Sequence, residues 1–168
     1  MSSEDETLEY YDSLIFTPEN RLDAEEIPSR YAYVQAWRKS GDVVRAEVHH
    51  GGAAREVVYF GSDPAELSAE HARRYPGVPF RVNKVPMPTA EGADQEILYF
   101  AADGAPRGVD HWITDRDGDR VREERFDAAG AKRGRVTYHY DERKRLTRSV
   151  EYDGEGRVVE DHAVDPED

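Results

Sequence analysis

In the C-terminal half of the chain, apolar and polar residues alternate with the period of two expected of a half-buried β-strand. Val136, Tyr138 and Tyr140 fall on one side of such a strand, with Arg135, Thr137 and His139 on the other. The next run groups Leu146, Val150 and Tyr152 against Thr147, Ser149 and Glu151. Arg120 to Phe126 reads differently. Arg120, Arg122, Glu124 and Phe126 oppose Val121, Glu123 and Arg125, so neither side is apolar, and this strand is expected to be solvated on much of both faces. Upstream, Tyr31 to Arg38 and Asp42 to His49 predict a hairpin around Lys39-Ser40-Gly41, and Glu56 to Phe60 a further short strand. The period then changes. Ser62-Asp63-Pro64 supplies a helix cap followed by proline in the first turn, and Leu67, His71 and Tyr75 stand at i, i+4 and i+8 of a segment with helix-forming composition, Ala65 to Tyr75. Pro76, Gly77, Pro79, Pro86 and Pro88 mark an irregular connector to Asp94, with a short extended piece at Phe80 to Val85. Residues 165–168 read as a frayed acidic tail.

Sliding the sequence against itself reveals an internal repeat. FAADGAPRGV from Phe100 aligns with FDAAGAKRGRV from Phe126, sharing Phe, Ala, Gly, Ala, Arg and Gly at an offset of 26 residues. A residue preceding a turn recurs at positions 100, 114, 126, 140 and 152, with spacings alternating between 14 and 12. Four residues beyond each stand Gly104, Gly118, Gly130, Lys144 and Gly156. Glycine is wanted there because a hairpin built on a type I turn ends in a left-handed residue. Asp115, Asp127, Asp141 and Asp153 lead the turns, where a carboxylate accepts backbone N–H groups. Units of 12 to 14 residues leave no room for a crossover helix, so consecutive strands pair antiparallel. FTPENRL from Phe16 and WRKSGDVVRAEV from Trp37 look like degenerate versions of the same plan. The predicted fold is mainly β: an antiparallel β-meander of hairpin repeats, a single twisted sheet with one inserted α-helix. Residues 1–168 are read as a single domain, made of degenerate hairpins (1–61), helix and connector (62–95) and hairpin repeats (96–164). A single sheet needs a cover on its apolar face, so the helix, the N-terminal segment or a partner is expected over the tyrosine-rich side.

Composition adds a constraint on partners. The 168 residues carry 36 Asp+Glu against 23 Lys+Arg, a net charge of −13, which disfavours nucleic acid and anionic membrane and favours basic partners. Arg107 to Arg148 is the exception, with twelve Lys+Arg and nine Asp+Glu. Interleaved with Trp112, Tyr138 and Tyr140, this strip either stacks single-stranded nucleic acid or pairs its charges across strands within the sheet; the second reading is preferred. Cysteine is absent, which excludes disulfides and thiolate chemistry. MSSEDETLEYYD lacks the basic start and apolar run of a signal peptide, and no stretch reaches the ~18 apolar residues of a membrane span, so a cytoplasmic protein is expected.

Thr137-Tyr138-His139-Tyr140-Asp141 followed by Arg145-Leu146-Thr147 resembles the bacterial tyrosine-aspartate repeat of Rhs-type proteins, T-x-Y-x-Y-D-x-x-G-R-L-T. Glu151-Tyr152-Asp153 with Gly156-Arg157-Val158 fits a second copy and Phe126-Asp127 with Gly130 a third, so the resemblance spans roughly Glu96 to Val164. Lys144 stands where the pattern has glycine, and Thr114 where it has an aromatic. The resemblance extends to small hairpin-repeat proteins, including MORN-like and YwqK-type antitoxin relatives. It implies a β-meander scaffold with a binding role and no catalytic residue.

Candidate chemistry is sparse. Asp115-Arg116-Asp117-Gly118-Asp119 resembles part of a calcium loop but lacks the distal bidentate Glu, and it coincides with a repeat turn that explains its Asp and Gly. The histidines 49, 50, 71, 111, 139 and 162 show no metal-binding spacing, and His49 and His50, being adjacent on a strand, point to opposite faces. No G-x-S-x-G elbow or phosphate loop occurs. No catalytic or metal-binding residue and no cofactor is assigned. Trp112, Arg120, Arg122, Tyr138, Tyr140 and Tyr152 are the candidate partner-binding residues, since Trp, Tyr and Arg dominate interface hot spots. The expected function is a non-enzymatic protein-binding module, an acidic immunity or antitoxin-like protein with a basic partner. An Arg/aromatic single-stranded nucleic-acid binder is the alternative and a hydrolase the third reading; self-association through sheet edges is also open.

Overall fold

The computed structural model describes residues 6–164; the acidic tail and the first residues of the N-terminal segment lie outside them. The chain is mainly β, with thirteen strands in one open, predominantly antiparallel sheet and one regular α-helix among the described residues. Its residues group into two compact units, Met1–Asn83 with Tyr99–Ala105, and Lys84–Leu98 with Pro106–Asp168.

The first unit contains β1 (Thr7–Tyr11), β2 (Arg21–Leu22), β3 (Ala32–Lys39), β4 (Asp42–His50), β5 (Ala53–Phe60), α1 (Pro64–Arg74) and β6 (Phe80–Asn83). Ser40 and Gly41 both have positive φ, as do Gly51 and Gly52. The two hairpins β3/β4 and β4/β5 therefore close through two-residue mirror-image turns, whose twist matches that of the strands. These are a different device from the Asp-led turns of the repeat, and Asn20 ends a 3-10 turn, Pro18–Asn20, that leads into β2. The N-terminal half is thus not a degenerate copy of the C-terminal plan.

One face of this unit buries Tyr11, Val34, Ala36, Ala46 and Val58, covered by Leu14 and Phe16 from the β1–β2 connection. Ala36 and Ala46 are direct cross-strand partners with no exposure, and their small side chains leave room for Tyr11 and Phe16, whose rings meet edge-on at 5.2 Å. The opposite face carries Val57, Tyr59, Phe80 and Val82, against which α1 lays His71 and Tyr75. Asp63 caps α1 by accepting the Ala65 N–H at 3.0 Å. The helix connects β5 to β6 as a parallel pair, Val57 opposite Phe80, so the sheet is not antiparallel throughout; α1 and its flanking turns supply the chain length that a parallel crossover needs.

The second unit contains β7 (Met87–Pro88), the first seven residues of β8 (Gly92–Phe100), β9 (Pro106–Asp115), β10 (Arg120–Asp127), β11 (Lys132–Tyr140), β12 (Leu146–Asp153) and β13 (Val158–Ala163). From β9 to β13 each strand pairs antiparallel with the next. The turns are built as the repeat predicts. Asp115, Asp127, Asp141 and Asp153 each accept two backbone N–H groups on Oδ1, from the residues two and four positions on, at 2.8–3.0 Å. Gly118, Gly130, Lys144 and Gly156 take the left-handed conformation. Ala101 leads the corresponding turn between β8 and β9, with Gly104 left-handed and the Asp displaced to position 103, where it accepts the Ala105 N–H.

Register divides the side chains of this unit into two faces. Glu123 lies opposite Trp112 and Val136, and Val136 opposite Glu151, which defines a first face. Tyr152 lies opposite Arg135 and Val150 opposite Thr137, on the second. The tyrosine-rich side is therefore split: Tyr138 and Tyr140 belong to one face and Tyr152 to the other. Val136 and Val150 are both buried, although they face opposite ways. The β10 strand is also drier than its sequence implies. Glu123 is buried and only Arg122 in this strand is exposed, because long arginine stems and aromatic rings pack where aliphatic residues are missing.

The second glycine shared by the repeat units, Gly108 and Gly134, has a steric role. A Cβ at Gly134 would stand 2.5 Å from the Tyr152 carbonyl oxygen, and one at Gly108 2.5 Å from that of Phe126. Backbone must move to admit either methyl. Gly134→Ala is therefore expected to lower stability by about 1–3 kcal/mol. Urea unfolding measures it; an unchanged midpoint would refute the close approach.

Candidate functional site

Four of the six candidate partner-binding residues converge on the first face of the second unit. The Arg120 guanidinium lies 3.6 Å from the centroid of Trp112. Its Nη1 is 3.9 Å from Glu123 Oε2, and the Tyr138 hydroxyl donates to the same oxygen at 3.3 Å. Tyr140 donates its hydroxyl to the Arg120 carbonyl at 2.8 Å. Burial, then the Glu123 carboxylate, push the Tyr138 phenol above its usual range, so it stays an O–H donor. Arg122 and Tyr152 lie on the second face. Arg122 pairs with Glu124 at 3.5 Å, and Tyr152 is covered by the Arg135 guanidinium at 4.2 Å from its centroid. The six residues thus form two sets, and each of the six is already engaged within the sheet.

Glu123 organises the first face, although no sequence argument singled it out. It accepts from Arg125 Nε at 2.6 Å as well as from Tyr138, and Arg125 reaches on to Glu151 at 2.8 Å. Much of the basic strip is paired, Lys132 with Glu124, Lys144 with Asp117 and Asp119, Arg145 with Asp141 and Arg148 with Asp161, whereas Arg107, Arg133 and Arg143 are exposed and enter no ion pair among the described residues. Cross-strand neutralisation, the preferred reading of this strip, holds for Arg125, Lys132, Lys144 and Arg148, whose partners lie on other strands or turns.

The second face contains an open hollow of about 320 Å³, walled by Leu98, Pro106, Val109 and Phe126 and bordered by Glu96 and His111. Val109 and Phe126 are direct cross-strand partners. His111 Nδ1 lies 3.1 and 3.2 Å from the two carboxylate oxygens of Asp94, and its ring meets Phe126 edge-on at 5.7 Å. Alternation had placed none of these residues together. The available signal was the repeat alignment itself, which sets Val109 against Arg135.

The remaining titratable clusters are structural. Asp115, Asp117 and Asp119 bring their carboxylates together as a calcium loop would, but Lys144 Nζ stands 2.6 Å from Asp117 and 2.7 Å from Asp119. Those two carboxylates hold the Lys144 ammonium above its usual range, and the ammonium in turn lowers Asp117. The cluster contains the chain's own cation, brought by the one turn that lacks glycine. His49 and His50 do point to opposite faces, one buried and one exposed. His49 Nε2 is 3.1 Å from Glu47, which also accepts the Tyr75 hydroxyl. His71 is fully buried, with Nε2 2.8 Å from the Val78 carbonyl and Nδ1 3.0 Å from the Tyr59 hydroxyl. A carbonyl only accepts, so Nε2 carries a proton and donates it to the Val78 carbonyl. Burial pushes the His71 imidazole below its usual value, partly offset by the Val78 bond, and pushes the Tyr59 phenol up to about 12.

No family model, no curated protein and no solved structure matches the chain. No helix among the described residues is long and apolar enough to cross a membrane.

Two outcomes follow from these contacts. Glu123→Ala removes the acceptor shared by Arg125 and Tyr138 and is expected to lower stability by about 2 kcal/mol in chemical denaturation. A change under ~0.5 kcal/mol would mean that the pairs are solvent-screened. For His71, the folded pKa lies below the unfolded one, so below pH ~6.5 the unfolded chain binds a proton that the folded chain refuses. Stability should therefore fall from pH 7 towards pH 5, by at most about 1.4 kcal/mol per pH unit from this group, and His71→Gln should flatten that slope. An identical pH profile in the variant would remove His71 as its cause.

Proposed function

We propose that this chain is a cytoplasmic, non-enzymatic protein-binding module of the immunity or antitoxin type, whose acidic surface neutralises a basic protein. The observation that carries the reading is the excess of acidic over basic residues, 36 against 23. Asp42, Glu66, Glu70, Glu91 and Glu142 are exposed carboxylates that enter no ion pair among the described residues, and although exposed cations such as Arg107, Arg133 and Arg143 also enter none, Asp and Glu outnumber Lys and Arg by thirteen. With a net charge of −13, the field presented to a partner is negative. The resemblance of the repeat units to tyrosine-aspartate and antitoxin-type hairpin proteins points the same way, and the Asp-led turns are consistent with it.

The nucleic-acid alternative has the exposed, unpaired Arg107, Arg133 and Arg143 to offer, but a net charge of −13 opposes the approach of phosphate. The hydrolase alternative draws little from the hollow on the second face, whose lining offers His111 with Asp94 but no hydroxyl or amine nucleophile.

Capture from the source lysate after nuclease treatment should retain one basic protein, with an association rate that falls steeply as salt is raised. Co-expression should relieve the toxicity of that partner. Saturable binding of a labelled single-stranded oligonucleotide at low salt, with no protein partner retained, would replace this reading by the nucleic-acid one.

A further inference from the structure

The repeat allows one unit to serve as a control for its neighbour. Arg135 stands opposite Tyr152 across the β11/β12 pair, and its guanidinium lies over the Tyr152 ring at 4.2 Å from the centroid. One repeat earlier, 26 residues back in both strands, Val109 stands opposite Phe126 in the same register. The aromatic is present, but the guanidinium that would cover it is replaced by the valine side chain. The consequence is the open hollow of about 320 Å³ over Phe126, whereas the Tyr152 ring is covered by the chain itself.

We infer that the hollow over Phe126 receives an arginine side chain from the basic protein partner. This rests on the protein-binding reading and names the contact through which it acts. Shape and charge both fit a guanidinium on an aliphatic stem. Leu98, Val109 and Pro106 provide an apolar wall for the methylenes, and the Phe126 ring provides a face for the planar cation. Glu96 at the rim is an exposed carboxylate with no ion pair among the described residues. Asp94 and Asp127 add negative charge, the first held by His111 and the second by its own turn. The one cation near the ring, Lys132, is 6.0 Å from its centroid and tied to Glu124 at 3.1 Å, so it borders the hollow without filling it. Arginine is favoured over lysine because the chain's own occupant of the equivalent place is a guanidinium, which stacks flat where an ammonium does not.

The test is an amide-resolved NMR titration of the full chain with an acetylated arginine tetrapeptide amide, alongside lysine and citrulline tetrapeptides. Arginine is expected to give saturable shifts centred on Gly108, Val109, Phe126 and Gly130, citrulline none, and lysine a weaker response at the same amides. Val109→Arg, which supplies the missing guanidinium internally, should abolish those shifts. Glu96→Gln, an exposed substitution that leaves the fold intact, should weaken binding about fivefold, the equivalent of one ion pair of about 1 kcal/mol. Shifts spread over the exposed carboxylates and equal for arginine and lysine would overturn the proposal, as would titration of Val109→Arg indistinguishable from the parent. The two readings fail separately. A captured basic partner that binds Val109→Arg as tightly as the parent would leave the binding module standing and remove the hollow. Local arginine binding with no partner captured would retain the hollow and remove the immunity reading.

Discussion

The second unit is made of strands alone, and everything about its side chains follows from that constraint. A sheet in which no helix of the same unit lies on either face must stabilise both faces from within, and cross-strand pairs are the means available. Aliphatic residues are too few: Val136 and Val150 are the buried ones in β11 and β12, one on each face. Cation and ring ladders take their place. Arg120 on Trp112, Arg135 on Tyr152 and the Glu123 pairs join neighbouring strands, the arginines laying long stems and planar cations over apolar and aromatic surface. The first unit solves the same problem conventionally, with α1 over one face and Phe16 over the other.

The turns set the spacing on which those ladders depend. An Asp carboxylate holding two N–H groups and a left-handed residue three positions on make a turn of constant shape, so strands 26 residues apart arrive in equivalent registers. Turns 26 residues apart in sequence also stand on the same edge, which is why Lys144 reaches Asp117 and Asp119. A left-handed lysine is a poorer choice than glycine on backbone grounds. Its ammonium answers three converging carboxylates that would otherwise repel one another.

Much of this was legible in the sequence, and the limits have physical causes. The hairpin repeat, its Asp and Gly positions and the capped helix are local features, encoded within about five residues. The parallel β5–β6 pair was missed because antiparallel pairing was inferred from the short spacing of the repeat and carried over to a segment that contains a helix. The wetness assigned to β10 was wrong because hydropathy counts arginine and glutamate as solvent-facing, whereas their partners lie on other strands. For the same reason the six candidate residues separated into two faces: the side on which Tyr152 lies is set by pairing register, not by alternation within its own strand. Glu123, Asp94 and Phe126 acquire their roles only across strands.

Internal comparison recovers part of what local reading loses. Where units share a backbone, a substitution between them isolates one side chain against a constant background. Lys144 in place of glycine places a cation over a carboxylate cluster, so that departure closes on itself: the charge it adds is consumed within the molecule. Val109 in place of arginine works in the opposite direction. It withdraws a cation from an aromatic ring and leaves Glu96 exposed at the rim, and no other side chain of the unit fills the space. A single-layer sheet that depends on cation and ring ladders has reason to complete each of them, because an uncovered ring forfeits both burial and the cation contact. An incomplete rung is therefore the place where an outside side chain gains most by docking, since it meets a surface already shaped, by the repeat, for the group that is missing.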